Sequence, residues 1–221
     1  MKFSFAFVLF IFLLSGCNIH KIHEKTAQDQ AEKEGLVAIS KPEFDASFIL
    51  PGASLGQYKK IILNDLDFSR VKIIKPSSSH SFQELWELTE KDKEFYQKKF
   101  TDSAKNYLFE KGDFSAAISP ASDTLVLKTK ITEIAPLASK DDFKSRPNLM
   151  DVYSEGFGRM TIVFELYDSV SNKLIVLSSD EHDLGRIWER NDRAQNNMQL
   201  KLAFDYWLKN LNDELRSNGN K

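Results

Sequence analysis

The 221-residue chain reads as an α+β domain: a mostly antiparallel, curved sheet of about five strands with two helices packed on one face. Three observations lead there. Residues 157–167 and 174–179 are apolar runs joined by Asp168-Ser169-Val170-Ser171-Asn172, whose side chains favour a tight turn. Residues 90–111 and 194–215 carry apolar residues at helical spacing. Residues 123–134 alternate in the two-residue period of a half-buried strand. Strands and helices segregated in this way pack as helices on a sheet.

Residues 1–16 precede that body. Lys2 is followed by an almost wholly apolar run from Phe3 to Leu14. Twelve helical residues span only about 18 Å, short of a bilayer core of about 30 Å. The run therefore has the size of a secretory leader. Ser15 and Gly16 are the small residues cleaved after, and Cys17, the only cysteine, would be the new amino terminus. Without a second cysteine no disulfide forms within the chain. Residues 18–43 are polar and charge-mixed and read as a tether, disordered or weakly helical, which as a flexible coil reaches roughly 25–30 Å; Leu36-Val37-Ala38-Ile39 reads as a short contact with the body. Removing residues 1–16 takes away one Lys and no acid, so 30 basic against 32 acidic residues becomes 29 against 32, net −3. That balance gives no electrostatic reason to expect nucleic acid as a partner.

The single globular domain is expected over 44–216. Residues 44–58, with Pro51, Gly52 and Gly56, read as an irregular lead-in loop. Residues 59–66 form a strand and 71–74 a short second one. Ser81, with Glu84 three residues on, can cap a short helix through Leu88. Thr89 with Asp92 forms a second cap where the helix restarts. Tyr96, Phe100, Ala104, Tyr107 and Leu108 then share one helical face, and Gly112 stands where a C-cap glycine is expected.

In 123–134, Leu125, Leu127, Thr129 and Ile131 face one way, Lys128 and Lys130 the other. Residues 136–148 are a polar excursion. On the next strand Met160, Ile162, Phe164 and Leu166 share a face, and 174–179 returns beside it. Residues 180–193 read as a charged loop. The last helix presents Leu200, Phe204, Trp207, Leu208, Leu211 and Leu215 inward and Lys201, Lys209, Asn212 and Glu214 outward. The crossover through the first helix can make one parallel strand pair.

Leu14-Ser15-Gly16-Cys17 resembles the lipobox of bacterial lipoproteins. The resemblance implies a diacylglycerol on the Cys17 sulfur, cleavage before it and acylation of the new amino terminus. Two or more acyl chains anchor stably where one does not. Asn18 stands where an Asp would favour the inner membrane, so the resemblance points to the periplasmic face of the outer membrane. Gly156-Phe157-Gly158, the strand to Glu165 and Asp168-Ser169-Val170-Ser171-Asn172-Lys173-Leu174 resemble a bacterial lipoprotein family known as domain of unknown function 3313. Its members show a glycine-led strand with a Glu near the end, then an Asp-Ser turn followed by Thr-Gly. Ser171 and Asn172 replace that Thr and Gly and keep the turn chemistry. The resemblance covers roughly residues 44–215. It implies a lipid-anchored envelope protein and brings no reaction, ligand or catalytic residue.

Motifs of chemistry are sparse. There is no Gly-x-Ser-x-Gly and no phosphate-binding glycine loop, so neither an enzyme nor a cofactor is expected. His20 and His23 lack a third ligand. Asp180, Glu181, His182 and Asp183 are the densest set of candidate ligands, and strand alternation would aim Asp180 and His182 to one side. No metal site is expected from either group. Asp65 and Asp67 could form a carboxylate pair for acid–base work. Arg186, Trp188, Arg190 and Arg193 are the most interaction-like set, since Trp and Arg are common interface anchors. The reading of the sequence is a non-enzymatic envelope lipoprotein that docks onto an envelope protein. The alternative is a module that binds peptidoglycan or a small ligand.

Overall fold

A computed structural model describes residues 22–74, 86–137, 153–155, 157–185, 188–190 and 193–219. The leader, Cys17, His20, the cap at Ser81 and Glu84, and most of the 136–148 excursion lie outside the described residues. In chain order the elements are α1 (Ile22–Glu34), β1 (Val37–Ala38), β2 (Ala46–Ile49), β3 (Lys60–Asp67), β4 (Lys72–Ile73), α2 (Glu90–Ala104), β5 (Ser115–Ala116), β6 (Thr124–Pro136), β7 (Tyr153–Glu155), β8 (Gly158–Asp168), β9 (Leu174–Leu184), β10 (Trp188–Arg190) and α3 (Arg193–Gly219).

Eight strands make one open sheet in the order β1-β2-β9-β8-β6-β3-β5, with β4 also paired to β6. The architecture is α+β and mostly antiparallel, as the sequence predicts. Among the described residues the strand and helix counts differ from the expectation: eight strands in the main sheet rather than about five, and three helices rather than two. The added strands are β1, β2 and β5, all short. Four consecutive residues of the expected lead-in loop become β2, which pairs with β9 through Ala46↔Ser179 and Ile49↔Val176. β3 pairs with β6 in parallel, the crossover pair expected from the intervening helix, but β3–β5 and β4–β6 are parallel as well, three pairs rather than one.

The long strands follow their alternation. Met160, Ile162, Phe164 and Leu166 are buried on one face of β8, and Leu125, Leu127 and Ile131 on the same face of β6. A bulge between Ile131 and Glu133 shifts the phase and brings Ile134 into that core. The β8–β9 turn is closed by the Asp168 carboxylate, which accepts from the Ser171 amide at 2.7 Å and the Ser171 hydroxyl at 2.7 Å. Asn172 takes the left-handed backbone there, φ 54°, a conformation Asn tolerates. Gly158 opens β8 at φ +135°, and a Cβ there would lie 2.3 Å from the Ala135 carbonyl oxygen. The glycine that leads this strand is therefore a steric requirement.

α2 starts at the Thr89–Asp92 cap, a reciprocal capping box. Trp86 to Leu88 are not helical, so the helix does not begin upstream of that cap within the described residues. α2 widens into a π-helical turn over Lys105–Glu110. Tyr96, Phe100, Ala104 and Leu108 are buried in it. α3 buries the six predicted apolar residues, and Phe100 meets Phe204 edge to face at 5.7 Å. α2 and α3 cover the Phe164 face of the sheet.

The third helix is the main departure. Residues 22–34, expected to belong to a tether, form α1 and pack on the opposite face of the sheet. Leucines 174 and 177 bury against Ala31 and Leu36 there. Helices therefore occupy both faces, not one. The side chains Val163 and Glu165 alternate with Ile162 and Phe164 along β8, so the two faces belong to opposite pleats.

Candidate functional site

Three polar arrangements cross or flank the sheet. The first lies under α3. Asp180 and His182 point to the same side of β9, as alternation requires. The Asp180 carboxylate accepts from the Trp207 indole N–H at 2.7 Å and from the Asp45 amide at 3.0 Å. Burial pushes its pKa up from 3.8 to about 6. His182 stacks on Tyr206 with ring centroids 4.6 Å apart and meets Trp207 edge-on at 5.7 Å. Asp180 to Asp183 belong to β9 rather than to the charged loop expected over 180–193, because β8 continues beside them through Gly158↔Leu184. Nearby, buried Glu214 accepts from the Ser178 hydroxyl at 2.9 Å and the Glu43 amide at 2.9 Å. Burial raises its pKa as well. Asn212 bonds Asp113 through both its amide and its oxygen. Neither Glu214 nor Asn212 is on the outward side where helical spacing placed them; both meet partners far away in sequence.

The second arrangement ties α1 to the sheet. Glu165, almost wholly buried, accepts from Gln30 of α1 at 2.9 Å, from Lys130 of β6 and from Tyr167 at 3.0 Å. Burial would raise the Glu165 pKa, but these donors outweigh it and the net shift is downward. His23, at the first turn of α1, bonds Asp45 at 3.0 Å, and Asp45 also accepts from the Glu181 amide at 2.9 Å. In the sequence His23 is half of a two-histidine pair; the structure gives it a carboxylate from the bend just before β2.

The third is a cleft of about 440 Å³ between α1 and the sheet. His23 and Gln30 form part of the helix wall, with Val163 and Ser179 on the sheet beneath. Asp67, Arg70, Lys72 and Glu133 supply charged groups to its lining. Hydrogen bonds from the hydroxyl and amide of Ser69 hold Asp67 below the usual carboxylate range, helped by the nearby charges of Lys130 and Arg70. Ser179 is fully buried, and its hydroxyl has no hydrogen-bond partner among the described residues. The cleft went unread in the sequence because its walls come from α1, β3, β4, β6, β8 and β9.

The remaining sequence candidates separate. Asp65 and Asp67 are exposed on β3, where the ladder to β6 shifts between Leu63 and Leu66; only Asp67 reaches the cleft. Trp188 and Arg190 fall on β10, which pairs with β7 through Trp188↔Glu155 and Arg190↔Tyr153 in a two-stranded ribbon apart from the main sheet. That segment is strand rather than loop. Arg193 opens α3, and Arg186 lies outside the described residues, as does Cys17. Among the described residues no group of three or more His, Cys, Asp or Glu could hold a metal ion, and no helix is long and apolar enough to cross a membrane.

Fold and site together define an α+β domain with helices on both faces of an open sheet and a polar cleft beneath one of them. The chain belongs to the family described as Protein of unknown function (DUF3313), whose model matches residues 26–211. The match starts within α1, well before the residue 44 expected from sequence. No curated protein sequence matches the chain. Among solved structures, it is similar to the PelC dodecamer from Paraburkholderia phytofirmans at 11% identity, over 75% of this chain and 96% of that one, TM-score 0.38. Protein XCC0632 from Xanthomonas campestris, of the DUF330 family, is similar at 9% identity over 84% and 94%, TM-score 0.44. The hypothetical protein CT253 from Chlamydia trachomatis is similar at 8% identity over 72% and 99%, TM-score 0.36.

Proposed function

We propose that this chain is a lipid-anchored cell-envelope protein that docks onto an envelope partner and does not itself turn over a substrate. Acyl chains on Cys17 hold it at the periplasmic face of the outer membrane. The observation that carries this reading is the position of α1. It starts at Ile22, five residues past Cys17, and is bonded to the sheet through His23 and Gln30. Five residues span at most about 17 Å. An anchor on Cys17 thus tethers the α1 side of a folded body close to the bilayer, instead of trailing a long coil. Supporting the absence of turnover, Asp180 is committed to Trp207 and Asp45, and Asp65 and Asp67 do not converge on one site. The docking residues in this reading are Arg186, Trp188, Arg190 and Arg193, of which Trp188 and Arg190 fall on the β7–β10 ribbon.

The test begins with mass spectrometry of the mature protein. A chain starting at an acylated Cys17 is expected, and Cys17→Ser should leave an unprocessed or released precursor. A processed Cys17→Ser protein that still sediments with membranes refutes the anchor. Affinity capture from solubilised envelopes should then yield a reproducible partner that Trp188→Ala loses; a capture indistinguishable from mock refutes docking. The second reading, a small-ligand module, is favoured by one observation: the cleft under α1 with a buried hydroxyl on its floor that has no partner among the described residues.

A further inference from the structure

We infer that the cleft between α1 and the sheet is a binding site for a small zwitterion, a molecule carrying an ammonium and an acidic group a few bonds apart. The inference rests on the ligand-binding reading and not on docking. Its basis is the charge arrangement of the lining. Arg70 and Lys72 contribute two cations, Asp67 and Glu133 two carboxylates. None of these four makes an ion pair within 4 Å with a described residue, although such pairs are common elsewhere in the protein, as at Lys60–Asp123 and Arg159–Glu181. The other cation of the cleft, Lys130, is already neutralised by buried Glu165. A simple anion would face the two carboxylates, and a simple cation would face the two basic groups. A zwitterion satisfies both pairs.

Ser179 is the second, independent observation. A hydroxyl taken out of water without a hydrogen bond is unfavourable, and native structures leave few such groups. Ser179 lines the floor of the cleft with such a hydroxyl, covered by its neighbours, and a bound polar molecule completes it once those floor side chains part. The volume, about 440 Å³, falls in the range of small-molecule sites, roughly 300–1,000 Å³.

Ammonium–acid zwitterions come from two sources, an amino acid or short peptide, and a phosphoethanolamine headgroup. Isothermal titration of the purified full-length mature protein in detergent distinguishes them. The probes are alanyl-alanine and O-phosphoethanolamine, with acetate, inorganic phosphate and ethylamine as single-charge controls. Saturable binding of either zwitterion, at least about tenfold tighter than every control, is expected, and whichever binds names the source. Ser179→Ala should keep the Tm and weaken that binding about tenfold, the loss of one buried hydrogen bond. The Arg70→Glu, Lys72→Glu double variant, exposed at both positions and so free to fold, should abolish it. A single-charge control binding as tightly as the zwitterions overturns the zwitterion while leaving a small-ligand site in place. No heat with any probe overturns both.

Discussion

Replacing Asp180 by Asn tests whether this carboxylate is a buried structural group held against its solvation preference. In the folded protein its pKa is pushed from 3.8 up to about 6, mainly by burial. A carboxyl whose folded pKa is raised binds its proton more tightly in the folded than in the unfolded chain. Between about pH 4 and 6 the folded state then holds more protons, so stability falls as pH rises across that window and levels off above it. At about 1.4 kcal/mol per pH unit, the move from 3.8 to about 6 amounts to about 3 kcal/mol at neutral pH. Asp180→Asn removes this charge. It also leaves one of two donors, the Trp207 indole or the Asp45 amide, without its acceptor, a loss of about 1–3 kcal/mol that does not depend on pH. The variant should therefore be less stable than wild type near pH 4 and close to it, or above it, at pH 7.5. Urea unfolding of both proteins at pH 4, 5, 6 and 7.5 measures the difference, in which the other titrating groups largely cancel. A difference that stays constant from pH 4 to 7.5 refutes the reasoning.

Glu165→Gln should loosen α1, since it strips Lys130 of its counter-charge and weakens the bond to Gln30; a loss of about 1–3 kcal/mol and faster amide exchange across residues 23–34 are expected. Because the folded Glu165 pKa lies below its ordinary value, the wild-type contribution is present above about pH 4.5 and disappears as pH falls through the folded value, so the gap between the two proteins should close in acid. Gly158→Ala places a Cβ 2.3 Å from the Ala135 oxygen at a backbone angle that L residues avoid; thermal unfolding should show a loss of about 2–4 kcal/mol, whereas Gly52→Ala, with open space around its own positive-φ site, should lose less.

What the chain determines by itself is local. The alternation of 123–134 and 157–167 and the helical faces of α2 and α3 depend on side-chain spacing, which backbone geometry turns into buried faces wherever the chain lies. The Thr89–Asp92 cap and the Asp168–Asn172 turn are likewise closed by neighbours a few residues apart. Tertiary structure alone decided the rest. α1 buries mainly alanines on its packed side, Ala27 and Ala31, a stripe too small to stand out from a polar tether, and it is held by a glutamate 135 residues from Gln30. Glu214 and Asn212 look solvent-facing on a helical wheel, yet their partners are 36 and 99 residues distant. β2 is a strand because β9 offers it a free edge, and the cleft exists because six separate elements meet. Polar burial is set by partners that sequence proximity does not reveal, since a buried charge is tolerated only where folding delivers its hydrogen bonds.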